Sequence, residues 1–117
     1  MQDSPRSVAL SVILQVLEQG KTLNESLDQK LPDLSDSRDR GLAQRLAYGV
    51  LRSLTALEFL LRQLLHKPIR QKDRDIYYLL LMGLEQLWLE AMPAHAVLFE
   101  TGQVARHRRY RGRYSIG

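Results

Sequence analysis

SPRSVALSVILQVLEQG, residues 4–20, decides whether this chain is built from helices or strands. Of its periodic apolar residues Val8, Val12, Ile13, Val16 and Leu17, four are β-branched, a composition that suits a strand. Their spacing does not alternate. It runs i, i+4, i+5, i+8, i+9, which is the helical period. The ends agree with that reading. Ser4 is an N-cap residue, and Pro5 stands at the first helical position, where a missing N–H costs nothing. Gly20 is the stop. The stretch is expected to be a helix.

The same signals recur outward from it. Thr22-x-x-Glu25 is a capping box for a short second helix carrying Leu23, Leu27 and Leu31, which Pro32 ends. PDLSDSRD, residues 32–39, is a polar turn in which Ser35 and Asp36 are both good caps. A third helix is expected to gather Leu42, Leu46, Val50 and Leu51 on one face. Thr55-x-x-Glu58 reads as a second capping box, opening a fourth helix with Leu57, Leu60, Leu61, Leu64 and Leu65 that breaks at Lys67-Pro68. The fifth helix starts near Lys72 and bears Ile76, Leu79, Leu80, Leu84, Leu87 and Trp88. It is apolar around much of its circumference and should be the central, buried one. The sixth follows Met92-Pro93 with Val97, Leu98, Val104 and Ala105. Gly102 inside it should weaken it by about 1 kcal/mol relative to alanine. No strand alternation, Asn-Gly hairpin or fixed-period repeat is present. The expected fold class is all-α, a compact bundle of about six helices.

A chain of 117 residues has room for one compact domain, and 44% hydrophobic with 26% charged residues is globular composition. The absence of cysteine excludes disulfides, Cys-ligated zinc, iron–sulfur clusters and a thiolate nucleophile. No apolar run approaches the roughly 18 residues of a membrane span. Asp3 ahead of Arg6, and the polar break at Gln15, do not read as a signal peptide. A cytoplasmic protein with no membrane partner is expected.

The net charge of +4 is localised. RHRRYRGRYSIG, residues 106–117, holds five arginines and no acid, leaving 12 basic against 13 acidic side chains in the preceding 105 residues. Arg106, Arg108, Arg109, Arg111 and Arg113, interleaved with His107, Tyr110 and Tyr114, combine phosphate partners with base-stacking surfaces. Engaged with single-stranded RNA, five arginines would give a salt slope of roughly −3.5 on a log–log plot. A solvated basic tail is the plainer alternative. Arg6, in the first turn of the first helix, is a cation where the helix dipole disfavours one, which points to an anionic partner.

Other chemistry finds no support. No two glycines are spaced G-x-G, so neither a dinucleotide fingerprint nor a P-loop is present. His66, His95 and His107 form no metal-binding pair. Asp33, Asp36 and Asp39 fail as a calcium loop because Arg38 occupies the place glycine needs. No serine lies in a G-x-S-x-G elbow. No catalytic residue, cofactor site or metal site is expected in this chain.

Several motifs in order resemble a known family. PRSVALSVILQVLEQGKTLNESL (5–27), DRGLAQRLAYGVLRSLTALEFLL (39–61) with its tract Tyr48-Gly49-Val50-Leu51-Arg52, and RDIYYLLLMGLEQLWLEAMPAHAVLFET (74–101) after Lys67-Pro68 look like the NusB-like RNA-binding domain. The combination is similar to the N-terminal domain of the 16S rRNA cytosine-5 methyltransferases (the Sun/Fmu, RsmB type). It is less like free-standing NusB antitermination factors, which remain the alternative. The resemblance implies a noncatalytic domain, residues 1–105, that helps engage 16S rRNA beside a methyltransferase domain using S-adenosylmethionine. Residues 106–117 form a separate arginine-rich segment. By the resemblance, Arg6 and Arg52 match basic positions turned toward RNA, although Arg52 suits a helix-end role equally. Gly49 permits close helix approach, and His95 orients the turn into the sixth helix. The family's closing helix is missing or altered here, since only Gly112 fits its opening. The fifth and sixth helices are therefore expected to expose an apolar patch that favours self-association.

Overall fold

In the computed structural model, which describes residues 3–107, the Ser4 hydroxyl accepts a hydrogen bond from the Ser7 N–H at 3.1 Å and starts helix α1, Pro5–Leu17. Gly20 takes φ +75° and turns the chain after it. Thr22 and Glu25 close the expected capping box at the head of α2, Leu23–Lys30. The hydrogen bond from the Thr22 backbone N–H, and then that from its hydroxyl, hold the Glu25 carboxyl below its ordinary range. A 3₁₀ turn, Leu31–Asp33, contains Pro32. Asp36 accepts from the Arg38 N–H at 2.8 Å and caps α3, Ser37–Arg52. Then come α4, Leu54–Leu64, a 3₁₀ turn, Gln71–Asp73, and α5, Arg74–Leu84. A π-helical turn, Glu85–Leu89, extends α5, and α6 spans Ala94–His107. The described residues contain helices and no β-strand, as the periodicity requires.

The helices group into two compact units divided between Arg52 and Ser53. In the first, α1 packs chiefly against α3 and then α2. Val8, Ala9, Leu10, Val12 and Ile13 of α1 are buried on nearly every side. The inward face of α3 is Ala43, Leu46, Ala47 and Val50. The expected face of Leu42, Leu46, Val50 and Leu51 is thus rotated, leaving Leu42 and Leu51 half-buried. Alanines at the contact let the two helix axes approach closely. Gly49 is buried as well.

In the second unit, α5 lies between α4 and α6 and is the central helix, as expected. Leu57 and Leu61 of α4 are fully buried. Three local expectations are corrected. Thr55 and Glu58 form no capping box: α4 begins at Leu54, and the Glu58 carboxylate instead accepts the Tyr77 hydroxyl proton at 2.6 Å. Trp88 is 56% exposed, while Glu85 and Gln86 are buried. The π turn causes this, because one extra residue rotates the rest of the helix by about 100°. Ala91, with φ +52°, ends the turn in the left-handed region. On α6 the inward residues are Val97 and Val104, whereas Leu98 is 66% exposed, one helical step off that face. Gly83 is where α5 meets α6: a Cβ there would sit 3.4 Å from Thr101 Oγ1.

Candidate nucleic-acid interface

Exposed cations collect on one face of α3. The helix carries four arginines and one acid, Asp39, whereas residues 1–52 hold seven basic and seven acidic side chains. Charge in the first unit is therefore segregated rather than excessive. Arg40 is turned back, donating to the carbonyls of Leu34 and Ser35 at 2.9 Å each, so it braces the entry to α3. The remaining three, Arg38, Arg45 and Arg52, are exposed and share a stripe with Gly41 and Tyr48. Positions 38, 41, 45, 48 and 52 advance by three and four residues alternately, which is one line along a helix surface. At 1.5 Å per residue that line is about 21 Å long.

Two details make the stripe more than a solvated face. Tyr48 is 52% exposed, and the Arg52 guanidinium lies 5.4 Å from its ring centroid. Such a cation–π contact, worth about 0.5–1 kcal/mol at an exposed site, holds a charge beside an open aromatic face. Gly41 sits mid-helix where a Cβ would touch nothing within 4 Å, so no packing demands glycine there. A bare helix surface between Arg38 and Arg45 admits close approach by a ligand backbone.

The residues expected from the sequence are dispersed. Arg6 lies in the first turn of α1 and is half-buried, with its Nε shielded from solvent. Arg52 ends α3, where it serves both the helix C-terminus and the Tyr48 contact. Arg106, in the second unit, is exposed inside α6 and donates to Gln103 Oε1 at 3.1 Å. Its guanidinium folds over Gly102, where an added Cβ would meet Nη1 at 3.4 Å. Arg108, Arg109, Arg111 and Arg113 lie outside the described residues. The structure joins Arg52 to Tyr48. Arg6 stands on a different helix of the same unit, and Arg106 belongs to the other unit. Sequence reasoning passed over Arg38, Arg45 and Tyr48. Their signal was the three–four spacing, masked by the stronger apolar period on the same helix.

His66 and His95 are exposed, and the described residues hold no group of three or more histidines and carboxylates suited to a metal ion. None of the helices among the described residues is long and apolar enough to cross a membrane. Trp88, Leu89, Leu98 and Phe99 are exposed on the second unit.

Tyr77 carries a displaced titration. Burial first, and then its hydrogen bond to Glu58, push the phenol from 10 up to about 12. The native state keeps this proton while an unfolded chain loses it near pH 10. The stabilisation is therefore complete below pH 10 and is lost as pH rises from there to about 12. A tyrosinate absorbance titration should contain a component near pH 12 that Tyr77→Phe removes. Its persistence in that variant would assign it to another tyrosine.

Residues 3–116 match the NusB family. Among curated proteins, the chain is similar to "Ribosomal RNA small subunit methyltransferase B" of Serratia proteamaculans, 47% identical over 105 residues, covering 88% of this chain and 24% of that protein. The protein of the same name from Pectobacterium atrosepticum is 45% identical over 105 residues, with 88% and 24% covered. That of Escherichia coli O1:K1 is 41% identical over 109 residues, with 92% and 25% covered. The chain spans about a quarter of the length of these relatives, and matches their N-terminal part.

Proposed function

The chain belongs to the NusB family, and we propose that it is a noncatalytic, cytoplasmic RNA-binding domain that helps an rRNA cytosine-5 methyltransferase engage 16S rRNA. The single observation that carries this reading is the α3 stripe, three exposed arginines flanking an open tyrosine in a unit with no net charge. Guanidiniums contact phosphates, and the ring offers a stacking surface for an unpaired base. The relatives' name supplies the expected class of RNA, and favours this role over a free-standing antitermination adaptor. On this reading the chain needs no cofactor of its own. S-adenosylmethionine belongs to a methyltransferase domain, whose thiolate chemistry a cysteine-free chain does not supply. Arg6, Arg106, Arg108, Arg109, Arg111 and Arg113 are included in the proposed contact surface. Self-association through exposed Trp88, Leu89, Leu98 and Phe99 is an accompanying expectation, carried by their exposure alone.

The test is a fluorescence anisotropy titration of the 117-residue chain with 16S rRNA fragments across a range of salt. Three phosphate contacts from α3 predict a log–log slope of about −2 or steeper. Arg6→Ala should weaken binding with helicity unchanged; equal affinity of the two proteins would remove Arg6 from the surface. A slope near zero, or the same affinity for duplex DNA, would end the reading.

A further inference from the structure

The junction between α4 and α5 is built by a helix stop. Pro68 lacks an N–H and cannot continue α4, and the chain passes through Ile69 and Arg70 into the 3₁₀ turn before α5. A cavity of about 380 Å³ is left at that corner. Its polar lining is Arg62, His66, Lys67, Arg74 and Tyr77. Leu65, Pro68 and Ile69 provide the apolar part, and no carboxylate lines it. The nearby acids are already engaged. Glu58 accepts from the Tyr77 hydroxyl at 2.6 Å, and Asp73 pairs with Arg70 at 3.5 Å.

Three of these cations have an ordinary explanation, since Arg62, His66 and Lys67 sit at or just past the C-terminus of α4, where positive charge is favoured. Arg74 does not. It is the first residue of α5, at the end where a cation is disfavoured and an anion is welcome. It is nevertheless held firmly: its guanidinium lies 3.9 Å from the Tyr77 ring centroid and 4.9 Å from that of Tyr78, and it donates to the Tyr78 hydroxyl at 3.0 Å. A guanidinium fixed against local preference, facing other cations across a cavity with an apolar side, is arranged for an anion that has an organic body.

We infer that this cavity in the second unit is a phosphate-binding site of nucleotide size, with Arg62, Lys67 and Arg74 on the phosphate and Leu65 and Ile69 against the rest of the ligand. Its volume lies within the roughly 300–1,000 Å³ of small-ligand sites and exceeds what a bare phosphate needs. The same chemistry is offered by a free mononucleotide and by one nucleotide of an RNA strand. The inference stands apart from the α3 reading, because it concerns different residues in the other unit.

The test is a ¹⁵N-resolved NMR titration of the full chain with inorganic phosphate, cytidine 5′-monophosphate and an RNA trinucleotide, each in turn. Saturable shifts confined to residues 62–77 are expected, with the mononucleotide stronger than phosphate. Arg62→Ala/Lys67→Ala should weaken them roughly tenfold or more, the loss expected from one charge-assisted contact. Both residues are exposed, so the variant keeps its helices, which circular dichroism verifies. Saturation by the mononucleotide supports a free ligand; saturation by the trinucleotide alone supports a strand. Absence of saturation with all three, or shifts unchanged in the double variant, overturns the inference. The α3 variant Tyr48→Ala should leave this titration as it is, so failure here and failure of the RNA reading remain distinguishable.

Discussion

Leu46→Ala should lower the unfolding free energy by about 2–5 kcal/mol, a large share of the roughly 5–15 kcal/mol that holds a domain folded. Leu46 is fully buried on α3, in the layer facing α1. Truncation loses the transfer energy of the side chain and leaves a cavity that Ala43 and Ala47, already small, cannot fill by shifting. Leu42 is the informative control. Apolar periodicity puts it on the same face as Leu46, but the structure leaves it half-buried. Leu42→Ala should therefore cost clearly less than Leu46→Ala in urea unfolding followed by circular dichroism. Equal losses would mean that α3 presents the Leu42 face to α1 after all.

Tyr48→Ala should weaken binding of single-stranded rRNA by roughly 5- to 150-fold, corresponding to the about 1–3 kcal/mol of one base stacked on an aromatic side chain. The ring is half exposed, so its removal leaves no hole in the core and the thermal unfolding midpoint should barely move. Arg52 loses its ring partner in the same variant, which adds to the effect without changing its sign. Tyr48→Phe keeps the stacking surface and should bind nearly as the parent does. Charge behaves differently from stacking. Arg38→Ala/Arg45→Ala/Arg52→Ala should make the salt slope shallower by about 2, whereas Tyr48→Ala should leave the slope unchanged. If Tyr48→Ala and the parent bind equally, the stripe is an electrostatic surface without stacking. If the triple variant keeps the parent slope, the stripe does not face RNA.

How much was legible depended on the range of the forces involved. Caps and stops act within a few residues, and those at Ser4-Pro5, Thr22-x-x-Glu25, Asp36 and Lys67-Pro68 stand in the structure where the residue types put them. Thr55-x-x-Glu58 has the same local chemistry and failed, because Glu58 found a phenol 19 residues away. The candidate interface was half legible. Arg52 lay within a recognisable tract, but a charged stripe takes its meaning from which side of α3 is covered. That side is chosen by α1. Likewise, Arg74 is one basic residue among many until two tyrosine rings fix its guanidinium.

By itself, the sequence determined the all-α class, the order of the helices and most of their ends, because hydrophobic period and capping are written in neighbouring residues. It also determined family membership through several motifs in a common order. Only the tertiary structure decided which face of each helix is inward. A leucine and an alanine one helical step apart compete for the same contact, and close packing of two helices settled it for Ala43 and Ala47 over Leu42 and Leu51. It also decided that the π turn after α5 would carry Trp88 outward and Gln86 inward. A single inserted residue changes no local propensity, yet it turns everything beyond it by about 100°.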